Sequence, residues 1–173
     1  PQDPTLRRTV RLQHSASICA GTPHETTGWL SARFDIERRL VLLQTSDSLY
    51  HMLPRVIRRV RAMLDLDADP AAINTALHPY FPDGDGLRVP GAFDGFELAV
   101  RAVLGQQITV VAARTLGQRL VERLGEAITT PWPELNRLFP TPATLAATPG
   151  DVLGQLGIMR QRQAAIVALA RAV

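Results

Sequence analysis

Gln106 and Gln107 stand side by side between two apolar stretches of helical period. At such a corner a core would take Leu, and a solvent face would more often take Lys or Glu. Two long neutral amides can each donate and accept hydrogen bonds, so the chemistry open to them is recognition by contact rather than proton transfer. The nearest carboxylates, Asp94 and Glu97, are three residues apart. That is the spacing in which two side chains satisfy free N–H groups at a helix start, and it accounts for Glu97 without a catalytic role. His14, His24, His51 and His78 are scattered without metal-ligand spacing, and Cys19, the only cysteine, cannot form an internal disulfide. Its apolar, strand-like setting suits a small buried side chain. No metal and no cofactor are expected. All 19 basic residues are arginine, so a Schiff base on lysine is not open to this chain.

The elements that must hold the corner follow from its neighbours. Pro90 and Gly91 mark a turn, and the Asp94 and Glu97 pair sets a helix start near Gly95. Phe96, Ala99, Val100, Val103 and Leu104 then form one buried stripe, while Glu97 and Arg101, four apart, can pair on another face. Gly105 ends this helix. Thr109 is placed to cap a second one running to Leu124. Helical segments follow over Pro142–Thr148, Gly150–Leu156 and from Arg160 onward, with a turn around Pro133–Leu138 and glycines where helices stop or turn.

Ahead of residue 84 the pattern changes. Leu30, Ala32, Phe34 and Ile36 alternate with polar residues, and Val10 with Leu12, Ile18 to Ala20, and Leu40 to Leu43 suggest neighbouring strands of an antiparallel sheet. Asp47 to Leu66 reads as one amphipathic helix that Pro54 breaks or kinks. Its Arg55, Arg58, Arg59 and Arg61 suit either a nucleic-acid contact or a plain solvated face. A short helix runs from Asp69-Pro70 to Leu77, and the Pro, Gly and Asp of residues 78–91 read as a connection. The expected fold is therefore α+β: an N-terminal antiparallel sheet with packed helices over residues 1–83, then an all-helical subdomain over 84–173.

Composition bounds the function classes. With 173 residues and 46% hydrophobic content, the chain can bury one good core or two small ones. Its net charge of +3 is compatible with a polyanionic partner or with simple solubility. No apolar run reaches the ~20 residues that span a bilayer, and the first residues lack a signal-peptide core, so a cytoplasmic location is expected.

The corner resembles the helix-turn-helix corner of the bacterial 3-methyladenine DNA glycosylase II (AlkA-like) family, within the helix-hairpin-helix DNA glycosylase superfamily. MLDLDADP at Met63–Pro70, LRVPG at Leu87–Gly91, FPTPATLA at Phe139–Ala146 and LGIMRQRQAAI at Leu156–Ile166 are similar to that family's segments, in the family's order. The resemblance implies a DNA repair enzyme that flips alkylated purines out of the duplex and hydrolyses the N-glycosidic bond, without strand cleavage. Gln107 would enter the duplex at the vacated base, and Gln106 would support the corner. The partner implied is double-stranded DNA containing alkylated bases, with no membrane and no metal. The family's glycine hairpin and catalytic aspartate are expected beyond Val173, so this chain alone is expected to be inactive. Leu156-Gly157-Ile158 with Arg160 and Arg162 lacks a second glycine and reads as a structural helix junction. Trp29 and Trp132 read as packing residues rather than a base cage.

Two other readings stand beside this one. A DNA-binding or regulatory module would keep the corner and do no chemistry. A glycosylase with lyase activity on oxidised bases would need a lysine from outside this chain. Ile166, Leu169 and Val173 are expected to form an uncovered apolar face, which predicts self-association.

Overall fold

The alternation of apolar and polar residues near the N-terminus produces strands, as period two requires. The computed structural model describes residues 4–13 and 25–173. Cys19, His14, His24 and the strand expected at Ile18 to Ala20 lie outside the described residues. Strands β1 (Thr5–Gln13), β2 (Glu25–Asp35) and β3 (Leu40–Thr45) form an antiparallel sheet in the order β1-β2-β3. Val10, Leu12, Leu30 and Ala32 are buried. Val10 pairs with Gly28, where a Cβ would lie 2.3 Å from Ser46 Oγ and 2.6 Å from Leu49 Cγ. Glycine is what lets the turn after β3 lie against β2. The alternation stops one residue earlier than expected: β2 ends at Asp35, the chain turns through a left-handed Arg39 (φ 55°), and Ile36 is 71% exposed rather than buried.

The chain divides into two compact units, residues 1–51 with 96–173, and residues 52–95. The single helix expected over Asp47–Leu66 is split, with Asp47–His51 in the larger unit and the rest in the smaller. A 3-10 turn over Asp47–Met52 precedes α1 (Leu53–Met63), with Pro54 in its first turn. A proline has no N–H to offer, and the first turn is the one place in a helix that needs none. Val56, Val60 and Met63 are buried on α1, while Arg59 lies over the Phe93 ring and Arg61 bonds Asp67. Asp69 caps α2 (Pro70–Leu77) by accepting from the N–H groups of Ala71 and Ala72. Arg88 donates to the carbonyls of Asp65 and Ala68, and the Gly91 N–H to that of Met63, so the Pro- and Gly-rich segment is tied back to the end of α1 and the loop after it.

The larger unit joins the sheet to α3 (Gly95–Gly105), α4 (Val110–Leu124), α5 (Pro142–Ala147), α6 (Gly150–Gln155) and α7 (Arg160–Ala172). Val100 and Leu104 of α3, Leu116 and Leu120 of α4, Leu145, Leu153, Ile158, and Ile166 with Ala170 of α7 share one core. The uncovered face expected of Ile166, Leu169 and Val173 does not form. Ile166 is fully buried and Leu169 packs on the core, which leaves only Val173 of the three exposed. Helix α7 turns this stripe inward because Leu145 and Leu153 of the short helices before it supply the opposing surface.

Polar ties fasten β1 to α3, to β2 and to the segment between α4 and α5. Thr9 Oγ1 donates to the Arg137 carbonyl at 2.8 Å, and Arg8 donates to Glu97 at 2.8 Å. Arg11 bonds both Glu25 and Glu126. Burial disfavours the Arg11 charge, but the hydrogen bonds and charges of the two glutamates outweigh it and raise its pKa above the ordinary arginine value. Trp29 of β2 and Trp132 pack edge to face with ring centroids 5.0 Å apart, and the Arg7 guanidinium lies over Trp132.

Candidate functional site

The corner between α3 and α4 consists of Gln106, Gln107, Ile108 and Thr109. Helix α3 closes with the Gln106 N–H donating to the Val103 carbonyl. The chain then takes a left-handed step, because Gln107 has φ 55°. A side chain other than glycine, asparagine or aspartate is uncommon there, since its Cβ crowds the backbone. Ile108 packs on the core and pins the corner from beneath. Thr109 is the N-cap of α4, its hydroxyl accepting from the Ala112 N–H at 3.2 Å. Gln106 and Gln107 are exposed, and beyond them Val110 and Val111 are 68% and 73% exposed. The result is an exposed amide-bearing corner with exposed valines beside it, set on two helices that share the core.

Glu97 is not organised as an acid or base. Its two carboxylate oxygens accept from Arg101 and Arg8, each at 2.8 Å. The pairing with Arg101 matches the four-residue spacing, while Arg8, 89 positions away, is invisible to any local pattern. The two tryptophans pack on each other instead of opening a slot between them.

Sequence reasoning gave Arg162 no role at the corner. In the first turn of α7, Arg162 Nη2 donates to the Gln106 carbonyl. The preceding turn is held in the same way, with Arg119 Nη1 of α4 donating to the Leu156 carbonyl at 3.3 Å and Gln163 Nε2 to that of Ile158 at 2.6 Å. Gly157 there has φ 87°, a conformation that suits glycine. No signal at short range marks Arg162, because its partner lies 56 residues earlier. Among the described residues, no group of three or more His, Cys, Asp or Glu could hold a metal, and no helix is long and apolar enough to cross a membrane.

Residues 2–94 match the AlkA N-terminal domain, and residues 100–173 match the HhH-GPD superfamily base excision DNA repair protein. The chain is 34% identical over 159 residues to DNA-3-methyladenine glycosylase 2 of Escherichia coli (strain K12), a match covering 92% of this chain and 55% of that protein. It is 35% identical over 175 residues to the "Probable bifunctional transcriptional activator/DNA repair enzyme AlkA" of Mycobacterium tuberculosis (strain CDC 1551 / Oshkosh), covering 97% of this chain and 32% of that one. A solved 3-methyladenine DNA-glycosylase from Archaeoglobus fulgidus has the same fold, with a TM-score of 0.65 at 20% identity over 96% of this chain and 55% of that chain. The chain thus spans about half of the first relative's length and about a third of the second's. With more than half its residues matched by the AlkA N-terminal domain and residues 100–173 by the HhH-GPD domain, the chain belongs to the AlkA family of helix-hairpin-helix base excision DNA repair proteins.

Proposed function

We propose that this chain forms part of a monofunctional DNA glycosylase that flips alkylated purines of the 3-methyladenine type out of duplex DNA and hydrolyses their N-glycosidic bond. The observation that carries the reading is the exposed, left-handed Gln107 at a corner braced on two core helices. Rotating a nucleotide out of a duplex costs a few kcal/mol of lost stacking, and a rigid tip that occupies the gap offsets that cost. Glutamine fills the space and presents an amide to the widowed partner base. Gln106 supports the corner and Thr109 starts the helix behind it.

The chemistry suits a single carboxylate. An alkylated purine is already cationic, so its bond to C1′ is weakened and the base departs without a strong general acid. A carboxylate stabilises the oxocarbenium-like sugar or takes a proton from the attacking water. Glu97 is held by Arg8 and Arg101 and is not given that role; the family resemblance implies that the carboxylate is an aspartate outside residues 1–173. The proposed partner is double-stranded DNA carrying alkylated bases, and the proposed compartment is the cytoplasm. Self-association through the last helix is reduced to Val173, since Ile166 is buried.

The test compares binding of two fluorescent duplexes, one intact and one carrying a stable abasic-site analogue. We expect tighter binding to the abasic-analogue duplex, and Gln107→Ala should erase most of that preference. Equal affinity of the unaltered chain for both duplexes would overturn the reading.

A further inference from the structure

We propose that Arg162 is a positioning residue for Gln107, acting through the carbonyl of Gln106. The inference rests on the reading of Gln107 as the side chain that enters the duplex. The carbonyl of Gln106 belongs to the peptide plane joining residues 106 and 107. Whatever holds that oxygen holds the plane, and the plane sets φ of Gln107. Arg162 Nη2 donates to this oxygen from α7, and Gln107 keeps φ at 55°. The half-buried Arg162 follows Ile158, which is buried in the shared core, so its base is anchored while its tip reaches the corner.

The arrangement is reciprocal. Helix α4 leaves the Gln107 corner and its Arg119 holds the Leu156 carbonyl at the turn before α7. Helix α7 leaves that turn and its Arg162 holds the Gln106 carbonyl at the corner before α4. Each turn is thus clamped by an arginine from the helix that follows the other. A tip that must displace a stacked base gains from such rigidity, because a loose corner would lose conformational freedom on insertion and weaken binding accordingly.

Arg162 could instead grip a DNA phosphate, and the two roles separate experimentally. A phosphate contact acts on every duplex alike and contributes to the salt dependence of binding. A positioning residue acts only where Gln107 acts.

The experiment has a DNA-free arm and a DNA arm. In the protein alone, amide 15N order parameters at Gln107 and Ile108 should be about 0.85 and should fall below about 0.6 in Arg162→Gln, with Arg162→Lys in between. An unchanged order parameter in Arg162→Gln overturns the proposal whatever DNA does. With the abasic-analogue duplex carrying 2-aminopurine opposite the gap, Arg162→Gln should weaken binding about five- to tenfold and reduce the fluorescence change, and intact-duplex affinity should stay within about twofold. In a Gln107→Ala background, Arg162→Gln should add no further loss. Multiplying losses, or equal weakening on both duplexes with a salt slope lower by about one, would make Arg162 a phosphate contact and overturn the proposal. If the unaltered protein does not distinguish the duplexes, the wedge reading fails, while the order parameters still decide whether Arg162 sets the corner.

Discussion

Gln107 combines an unfavourable backbone with an exposed side chain, and this combination separates stability from function at one residue. Replacing it with glycine relieves the left-handed strain, so Gln107→Gly should change stability by no more than about 1 kcal/mol, in the stabilising direction, by urea denaturation. The same change should weaken binding to the abasic-analogue duplex about tenfold, as Gln107→Ala should. A variant that gained stability and kept its preference for the abasic-analogue duplex would remove the side chain from the interface. Glu97 makes the opposite case. Two arginines converge on it from β1 and α3, and its side chain is 18% exposed. Glu97→Gln should therefore destabilise the fold by about 1 to 3 kcal/mol, measured by urea denaturation. The amide pair and the Glu97–Arg101 spacing were legible in the sequence, since both depend on neighbours a few residues away. The left-handed step and the Arg8 contact were not, because each is set by groups elsewhere in the fold.

At the scale of elements, helix starts and stops were the most legible features, for caps are local chemistry. Thr109 caps α4 and Asp69 caps α2, and the helix start read at Pro142 is capped by Thr141, a residue the sequence reading did not single out, which accepts from the Thr144 N–H. Thr109→Ala should cost about 1 kcal/mol in denaturant unfolding and loosen the corner it adjoins. Gly125, which ends α4, is there for space rather than for its dihedrals. A Cβ at this position would lie 2.4 Å from the backbone oxygens of both Leu138 and Val121. Since neither oxygen can move aside cheaply, Gly125→Ala should destabilise by about 1 to 3 kcal/mol, readable as a lower denaturation midpoint. The helix expected across Pro54 shows where local reasoning stops short: the sequence marked a break, but only the fold set the 3-10 turn before it.

At the scale of the molecule, burial decides how the chain behaves in solution. With Ile166 and Ala170 inside the core and Leu169 packed against it, size-exclusion chromatography should give a monomer, and a concentration-dependent dimer would show that another surface associates. What the sequence determined by itself was whatever repeats or pairs within a turn or two: strand alternation, the helical stripes, the caps, the polar break at Gln106 and Gln107, and the family resemblance carried by short ordered segments. The tertiary structure decided what depends on distant partners. It buried Ile166, exposed Ile36, joined Trp29 to Trp132, committed Glu97 to two arginines and brought Arg162 to the carbonyl of Gln106. The reason is physical: periodicity and capping are properties of adjacent residues, whereas a contact across 56 or 89 positions exists only once the core has closed and placed the two groups within hydrogen-bonding reach.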